Sequence, residues 1–511
     1  MHDQITPPPY TGPIFAKEFP AMFERMKRRP DTKHFPYRRS RGASLLEYGI
    51  ILGLVGAVSI PMVSSLGEEI VKLLNNTTKN IAIGSITVPT DPSTPLDPDA
   101  FVFEVSSATG AIFPSAGGTI QIDWGDEAAN SSCTTSYVID PNNPLTCDYP
   151  SPGTYKISIT GDMTGYGQLS SSSYKNDITR QIQWGNTGLT SLANAFYGAE
   201  NVTDVPGSIP PSVTSINRMF TYSSAINDPD IALWDTSNIS NFDFAFADAE
   251  NFNVDLSSWN TSNATTMKGV FRDAIQFNQD IDGWNMSNVT DIQSMFSGAT
   301  NFNQDLSSWD TSNVELFTYA FRYTPFNGDV SSWNTASATS IRGMFQGNSS
   351  FNQDISAWNV SNVQDFERLF NNATSFNQDL SGWNVGNGTN FDGMFLRATQ
   401  FESDLSGWNM SSSETLYAMF KEAAAFDSDL STWDVANVTD MYQMFSQATS
   451  FSGDLSGWDV ANVSNMSAMF LETPNFTSDL SGWCVSLLAT RPPEFSTSSA
   501  MAAEPIWGTC P

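Results

Sequence analysis

The sequence predicts a multidomain α/β chain: an N-terminal hydrophobic assembly or transmembrane helix, a small all-β sandwich, then a parallel solenoid of about 12 coils with a disulfide-closed cap. Three observations predict it. Residues 43–66 are a 24-residue apolar run; residues 101–160 hold segments that alternate apolar and polar side chains; and tryptophans recur every 25 residues from Trp234 to Trp483, with one gap of 24 between Trp309 and Trp333. At 511 residues the chain is too long for one compact core.

Charge divides the chain at the same place as pattern. Residues 1–42 hold nine Lys or Arg against four Asp or Glu, and the remainder holds 14 against 50. The body therefore repels nucleic acid and anionic lipid, so no nucleic-acid partner is expected. Both histidines, His2 and His34, lie in the basic leader, which leaves the body without an imidazole for base catalysis or metal ligation.

As a helix the run Ala43–Leu66 is about 36 Å long at roughly 1.5 Å per residue, enough to cross a bilayer. It is long for a secretory signal, and no A-x-A cleavage site follows closely. A signal anchor with the leader in the cytoplasm is the plainer alternative. It leaves Glu47 unexplained, because a carboxylate inside a spanning helix costs roughly 2.5–3.5 kcal/mol.

The stretch Gly42, Ala43, Ser44, Leu45, Leu46, Glu47, Tyr48 resembles the processing site of type IV prepilins. Its Glu-Tyr pair is similar to that of the Flp-type (type IVb) pilins of tight-adherence systems, a likeness that extends over residues 42–80. The resemblance implies a leader of residues 1–42 cut by a prepilin peptidase between Gly42 and Ala43, a mature helix over 43–86, and passage through the inner membrane. It also implies a homopolymer of pilin subunits, a cell-surface pilus, in which Glu47, next to Tyr48, meets the N-terminal ammonium of a neighbour. Two charges that are each costly in an apolar core become tolerable as a pair.

Residues 87–100 carry four prolines and read as a semi-rigid linker. In residues 101–165, "FVFEV", "TIQIDWG" and "YKISIT" alternate like half-buried strands, the last after the turn "PSPG". The pair "DWGDE" and "YPSPGTYKISITG" resembles PKD-type β-sandwich modules, which implies a surface spacer or carbohydrate contact. Asp123 and Asp126 suit turn capping through their own backbone, with a cation site as the alternative.

Residues 166–483 form the repeat array, with Trp433–Gly457, "WDVANVTDMYQMFSQATSFSGDLSG", as a clean unit. Met441, Met444, Phe445 and Ala448 fall at the spacing of one helical face, and Thr439 is placed to cap that helix. Phe451, Leu455 and Trp458 surround an expected short strand. Such a unit cannot bury its apolar face alone, so it stacks on its neighbours. The layout is that of a leucine-rich repeat, and over about 320 residues the units resemble BspA-type leucine-rich-repeat surface proteins. That implies a binding head, either on the pilus or on a membrane-anchored adhesin that does not polymerise. The Phe of the Met-Phe pair recurs 12 times from Phe196 to Phe470, so strand spacing of roughly 4.8 Å gives an array about 55–60 Å long.

An Asp precedes each Trp by four residues, from Asp230 through Asp379 to Asp479. Carboxylates stacked that closely repel by roughly 1 kcal/mol a pair even in water. Either each caps its own turn or the row holds calcium; without a D-x-D-x-D loop, capping is preferred and no metal or other cofactor is expected. Asn238, Asn263, Asn288, Asn313, Asn362, Asn387, Asn437 and Asn462 suggest an amide ladder. A catalytic site would break the repeat, and these carboxylates keep it, so no enzyme is expected. The cysteines fall in two local pairs, Cys133 with Cys147 and Cys484 with Cys510, which in an exported chain suggests two disulfides rather than free thiols. The second pair brackets a cap, residues 484–511. Arg322 and Tyr323, on the one shortened coil, are the candidate contacts to a host or surface glycan or protein; a tolerated deletion is the plainer account of that coil.

Overall fold

A computed structural model describes residues 96–125, 133–140, 145–167 and 173–511. All of them fall in one unit, Thr94–Pro511. The processing site at Gly42 and Ala43, the assembly residues Glu47 and Tyr48, the helix assigned to 43–86, most of the linker, and Asp126 lie outside the described residues.

The alternating segments form strands β1 (Phe101–Ile112), β2 (Pro114–Asp123), β3 (Ser136–Val138), β4 (Leu145–Tyr166) and β5 (Ile178–Gln183). They make one antiparallel sheet in the order β3-β2-β4-β1-β5. The "PSPG" segment does not start a strand. It lies inside β4, where the register against β1 jumps from Ser107↔Gly153 to Thr109↔Asp148. Asp123 caps its turn, its Oδ1 accepting from the Gly125 N–H at 2.9 Å.

The expected α/β class is corrected by this structure. Among the described residues there is no α-helix, only short 3-10 turns at Ser173–Asp177 and Pro229–Leu233, and no helix long and apolar enough to cross a membrane. The sandwich is corrected as well: among the described residues one sheet is present instead of two. The first coils of the solenoid take the place of the second sheet, with the Phe101 ring 6.0 Å from Trp184 and Trp184 6.2 Å from Phe196 of the first coil, in a core continuous with the repeats.

Within each coil the segment read as a helix is a ribbon of consecutive turns. In Met441–Ala448 the N–H groups alternate in their partners. Met444, Ser446 and Ala448 donate back three residues, to Met441, Gln443 and Phe445, while Met441, Gln443, Phe445 and Gln447 donate to the next coil, at Asn465, Ser467, Met469 and Leu471. An α-helix would close all of these bonds internally. Gln443 (φ 54°) and Gln447 (φ 61°) occupy the left-handed region, and the equivalent positions do so along the array. That conformation costs a side-chain-bearing residue roughly 1–2 kcal/mol, which the bonds to the next coil offset. Thr439 caps no helix; its hydroxyl donates to the Glu414 carbonyl of the preceding coil at 3.2 Å.

The apolar positions are nonetheless buried. Met441, Met444, Phe445, Ala448, Phe451 and Leu455 are fully enclosed. Phe445 stacks on Phe451 at 4.1 Å within its coil and on Phe470 at 5.7 Å in the next. Trp458 stacks on Trp433 at 6.4 Å, its indole N–H donating to the Leu430 carbonyl at 2.9 Å. No short strand forms around these residues; one isolated parallel bridge per coil, such as Asp440↔Asn465, joins neighbours instead.

Candidate functional site

The Asp row is explained locally. The Asp379 Oδ1 accepts the Ser381 N–H at 2.9 Å, and the same bond to residue i+2 recurs at Asp404, Asp429, Asp454 and Asp479. Hydrogen bonds from the Ser381 hydroxyl and N–H hold the Asp379 carboxyl below its ordinary range, although Asp354 and Asp404 oppose this. A second row, the Asp or Asn directly after each Trp from Trp234 to Trp458, missed in the sequence, caps in the same way, as Asp434 does for Ala436. Among the described residues no cluster of His, Cys, Asp or Glu has the arrangement of a metal site.

The Asn row is not an amide-to-amide ladder. Each side chain donates to a backbone carbonyl of the preceding coil, as Asn387 does to Ser361 at 2.7 Å and Asn462 to Ala436 at 2.8 Å. Where serine replaces Asn, at Ser337 and Ser412, the hydroxyl makes the equivalent bond at 2.7 Å. A further row, Asn278, Asn303, Asn327 and Asn352, has each Oδ1 accepting the N–H of its counterpart in the next coil. The disulfides Cys133–Cys147 and Cys484–Cys510 are formed.

These rows make most of the surface uniform, and uniform rows do not discriminate between ligands. The ribbon is different. All eight Lys and Arg between Trp184 and Trp483, and all six Tyr, fall from three residues before to two residues after the Phe of the repeat, a six-residue window in a 25-residue unit. Tyr323, Tyr222 and Tyr417 are among the most exposed large apolar side chains, at 47%, 44% and 40%.

Glycine lets these rings lie flat. The Phe244 ring covers Gly269, Tyr319 covers Gly343 and Tyr323 covers Gly347, each glycine at positive φ and each ring where a Cβ would collide. Arginines then stack on the rings. The Arg218 and Arg272 guanidinium groups stand 4.8 and 5.5 Å from Phe244, and Arg322 and Arg342 stand 5.0 and 5.9 Å from Tyr319. Arg322 is also 4.5 Å from Tyr323, so the structure brings the two predicted contacts together on this face.

The ribbon arginines differ in their remaining partners. Arg272 pairs with Asp248 and Asp273, Arg342 with Glu367 at 2.8 Å, and Arg397 with Glu422 at 2.7 Å. Among the described residues Arg322 has no carboxylate partner within ion-pair distance, and its buried Nε has no hydrogen-bond acceptor. The neighbouring Gln346 Oε1 is buried and equally unpartnered. Tyr319, Arg322, Tyr323 and Gln346 thus form a partly exposed cluster with unused donor and acceptor capacity.

Further along the ribbon, Arg368, Asp392, Gly393, Leu396, Tyr417 and Ala418 line a cleft of about 280 Å³. Burial raises the Asp392 carboxyl, against the Thr415 hydroxyl and the Tyr417 N–H, which both donate to its Oδ1.

Comparison with known proteins places the repeats. No curated protein matches the chain. A crystal structure titled as the TLR13–ssRNA13 complex matches 65% of this chain and 59% of its own, less than two thirds, at 10% identity and a TM-score of 0.21. The model of the family described as "Mycoplasma protein of unknown function, DUF285" matches residues 214–327, 317–425 and 403–506, clear of the segments that resemble pilins and PKD modules. Matched over more than half of its length, the chain is a repeat protein that belongs to the DUF285 family.

Proposed function

We propose that the chain is a cell-surface repeat protein that binds a glycan or protein partner on its ribbon face and does not transform it. The family match supports a surface repeat protein, and favours the non-polymerising adhesin over the pilus subunit. One observation carries the choice of face: every basic side chain and every tyrosine between Trp184 and Trp483 lies on the ribbon, while the remaining faces repeat the same capping bonds. Arg and Tyr are favoured anchors of interfaces, and solvent-facing positions are where discrimination between partners resides. The carboxylates that keep the repeat are occupied in capping, which supports binding over catalysis.

The test is binding of the full-length protein to arrays of glycans and matrix proteins. Arg322→Ala combined with Tyr323→Ala is expected to weaken binding at least tenfold, the loss typical of interface anchors, with the melting temperature retained. Failure of the protein to bind any member of either array would refute the reading, as would undiminished binding by the double variant.

A further inference from the structure

Three outer ribbon positions are glycines aligned with one another: Gly269, Gly343 and Gly393. Two are covered by the aromatic ring of the preceding coil, Phe244 or Tyr319. At Gly393 the counterpart in the preceding coil is Arg368, and the nearest atoms to a Cβ there are side-chain atoms of Leu396 and Arg368, at an ordinary contact distance of 3.6–3.7 Å. This uncovered glycine opens the 280 Å³ cleft. Its walls are chemically distinct. Tyr417 forms one, stacked on Tyr442 at 5.0 Å and so held in place. Arg368 forms the other, its side chain half-exposed and 3.4 Å from Glu367. Asp392 lies at the side and accepts the Thr415 hydroxyl and the Tyr417 N–H both on Oδ1, which leaves Oδ2 to accept from a ligand.

We propose that this cleft is a subsite for one neutral pyranose ring of a surface glycan, an inference that rests on the ribbon-binding reading and names its ligand class. The volume is just below the roughly 300–1,000 Å³ of pockets for drug-sized ligands and suits a single ring. The C–H face of a sugar carries partial positive charge and complements the negative face of Tyr417. Its hydroxyls both donate and accept, which matches an acceptor at Asp392 and donors at Arg368. The sequence after residue 42, with 50 acidic against 14 basic residues, disfavours sulfated or sialylated chains.

Gly393→Gln tests the cleft directly. Gln443 occupies an equivalent ribbon position at φ 54°, so the backbone accepts glutamine there, and its side chain would fill the gap. The full-length protein, Gly393→Gln and Tyr417→Ala are compared on immobilised neutral glycans (glucan, mannan, galactan), sialylated and sulfated glycans, and matrix proteins. The expected result is binding to a neutral glycan, weakened at least tenfold in both variants, with unchanged melting temperatures. Undiminished neutral-glycan binding in both variants overturns the subsite but leaves the ribbon reading, which the Arg322 and Tyr323 variant tests separately. Binding only to charged glycans or to protein overturns the neutral-sugar assignment. Binding to nothing removes both.

Discussion

Asp379 shows how a column of like charges is tolerated on an already acidic protein. The Ser381 N–H and hydroxyl neutralise much of the cost locally, so neighbouring carboxylates need no bridging cation. Asp379→Ala is expected to cost about 1 kcal/mol, the net worth of one such hydrogen bond, and Asp379→Asn to retain most of it because an amide oxygen still accepts from residue 381. Equilibrium unfolding at neutral pH measures both, and a calcium chelator should leave the midpoint unmoved. The pH dependence has a fixed sign. Since the folded carboxyl is held below its ordinary value, its contribution is complete above about pH 4 and is lost as pH falls through the folded pKa. The Asn variant should lose that part of the acid sensitivity. The capping role was legible in the sequence from the Asp spacing and the absence of a calcium loop. The second Asp/Asn row was not read, although its residues directly follow each Trp from Trp234 to Trp458.

The ribbon marks where apolar spacing and backbone geometry part company. Met441, Met444, Phe445 and Ala448 have helical spacing and are all buried, yet the N–H groups alternate between back-bonding and the next coil. Burial at i, i+3, i+4 and i+7 constrains which side chains face inward. It leaves open whether hydrogen bonds close within the segment or across to another coil, and in a stack the second option ties coils together. One missed signal was present in the sequence: an aromatic followed 24 or 25 residues later by glycine, as in Phe244 and Gly269, Tyr319 and Gly343, and Tyr323 and Gly347. The Asn row makes a parallel prediction about this tying. Ser337 and Ser412 already make the inter-coil bond that Asn387 makes. Asn387→Ser should therefore be near neutral, while Asn387→Ala should cost about 0.5–1.5 kcal/mol, read as a lower urea midpoint with an unchanged slope.

Across the whole unit Thr94–Pro511 the recurring problem is how to close the ends of an apolar stack. At the C-terminal end residues 493–497 continue the inter-coil bonds, with Ala468, Phe470 and Glu472 donating to Pro493, Phe495 and Thr497. There Phe495 turns edge-on to Phe470, at 87°, and packs edge-on against Trp507 in turn, so the column of parallel rings ends on itself. A cap was legible there in the sequence, because Cys484 and Cys510 bracket that tail. At the other end the sheet serves instead, joined by the parallel bridges Gly165↔Ser191 and Arg180↔Asp204. This junction was illegible, since alternating strands say nothing of what covers their inner face.

Lys175 stands at that junction, fully buried, 5.1 Å from the Phe113 ring of the sheet side and 5.6 Å from Tyr197 of the first ribbon, its Nζ donating to the Asn194 carbonyl at 3.3 Å. Burial pushes its pKa down from 10.5 to about 7. The unfolded chain therefore holds a proton between pH 7 and 10.5 that the folded chain does not. Stability from this group consequently rises with pH across that window, and the full penalty is present below pH 7. Lys175→Met keeps the length of the side chain and removes the charge. The variant should melt higher than the parent at pH 6, by an amount reflecting a few kcal/mol at about 1.4 kcal/mol per unit of displaced pKa, less the lost bond to Asn194. That advantage should shrink steadily toward pH 10, as the pH nears the 10.5 at which the unfolded lysine also gives up its proton. Melting curves of the two proteins that stay parallel from pH 6 to pH 10 would show that Lys175 keeps its proton in the folded junction.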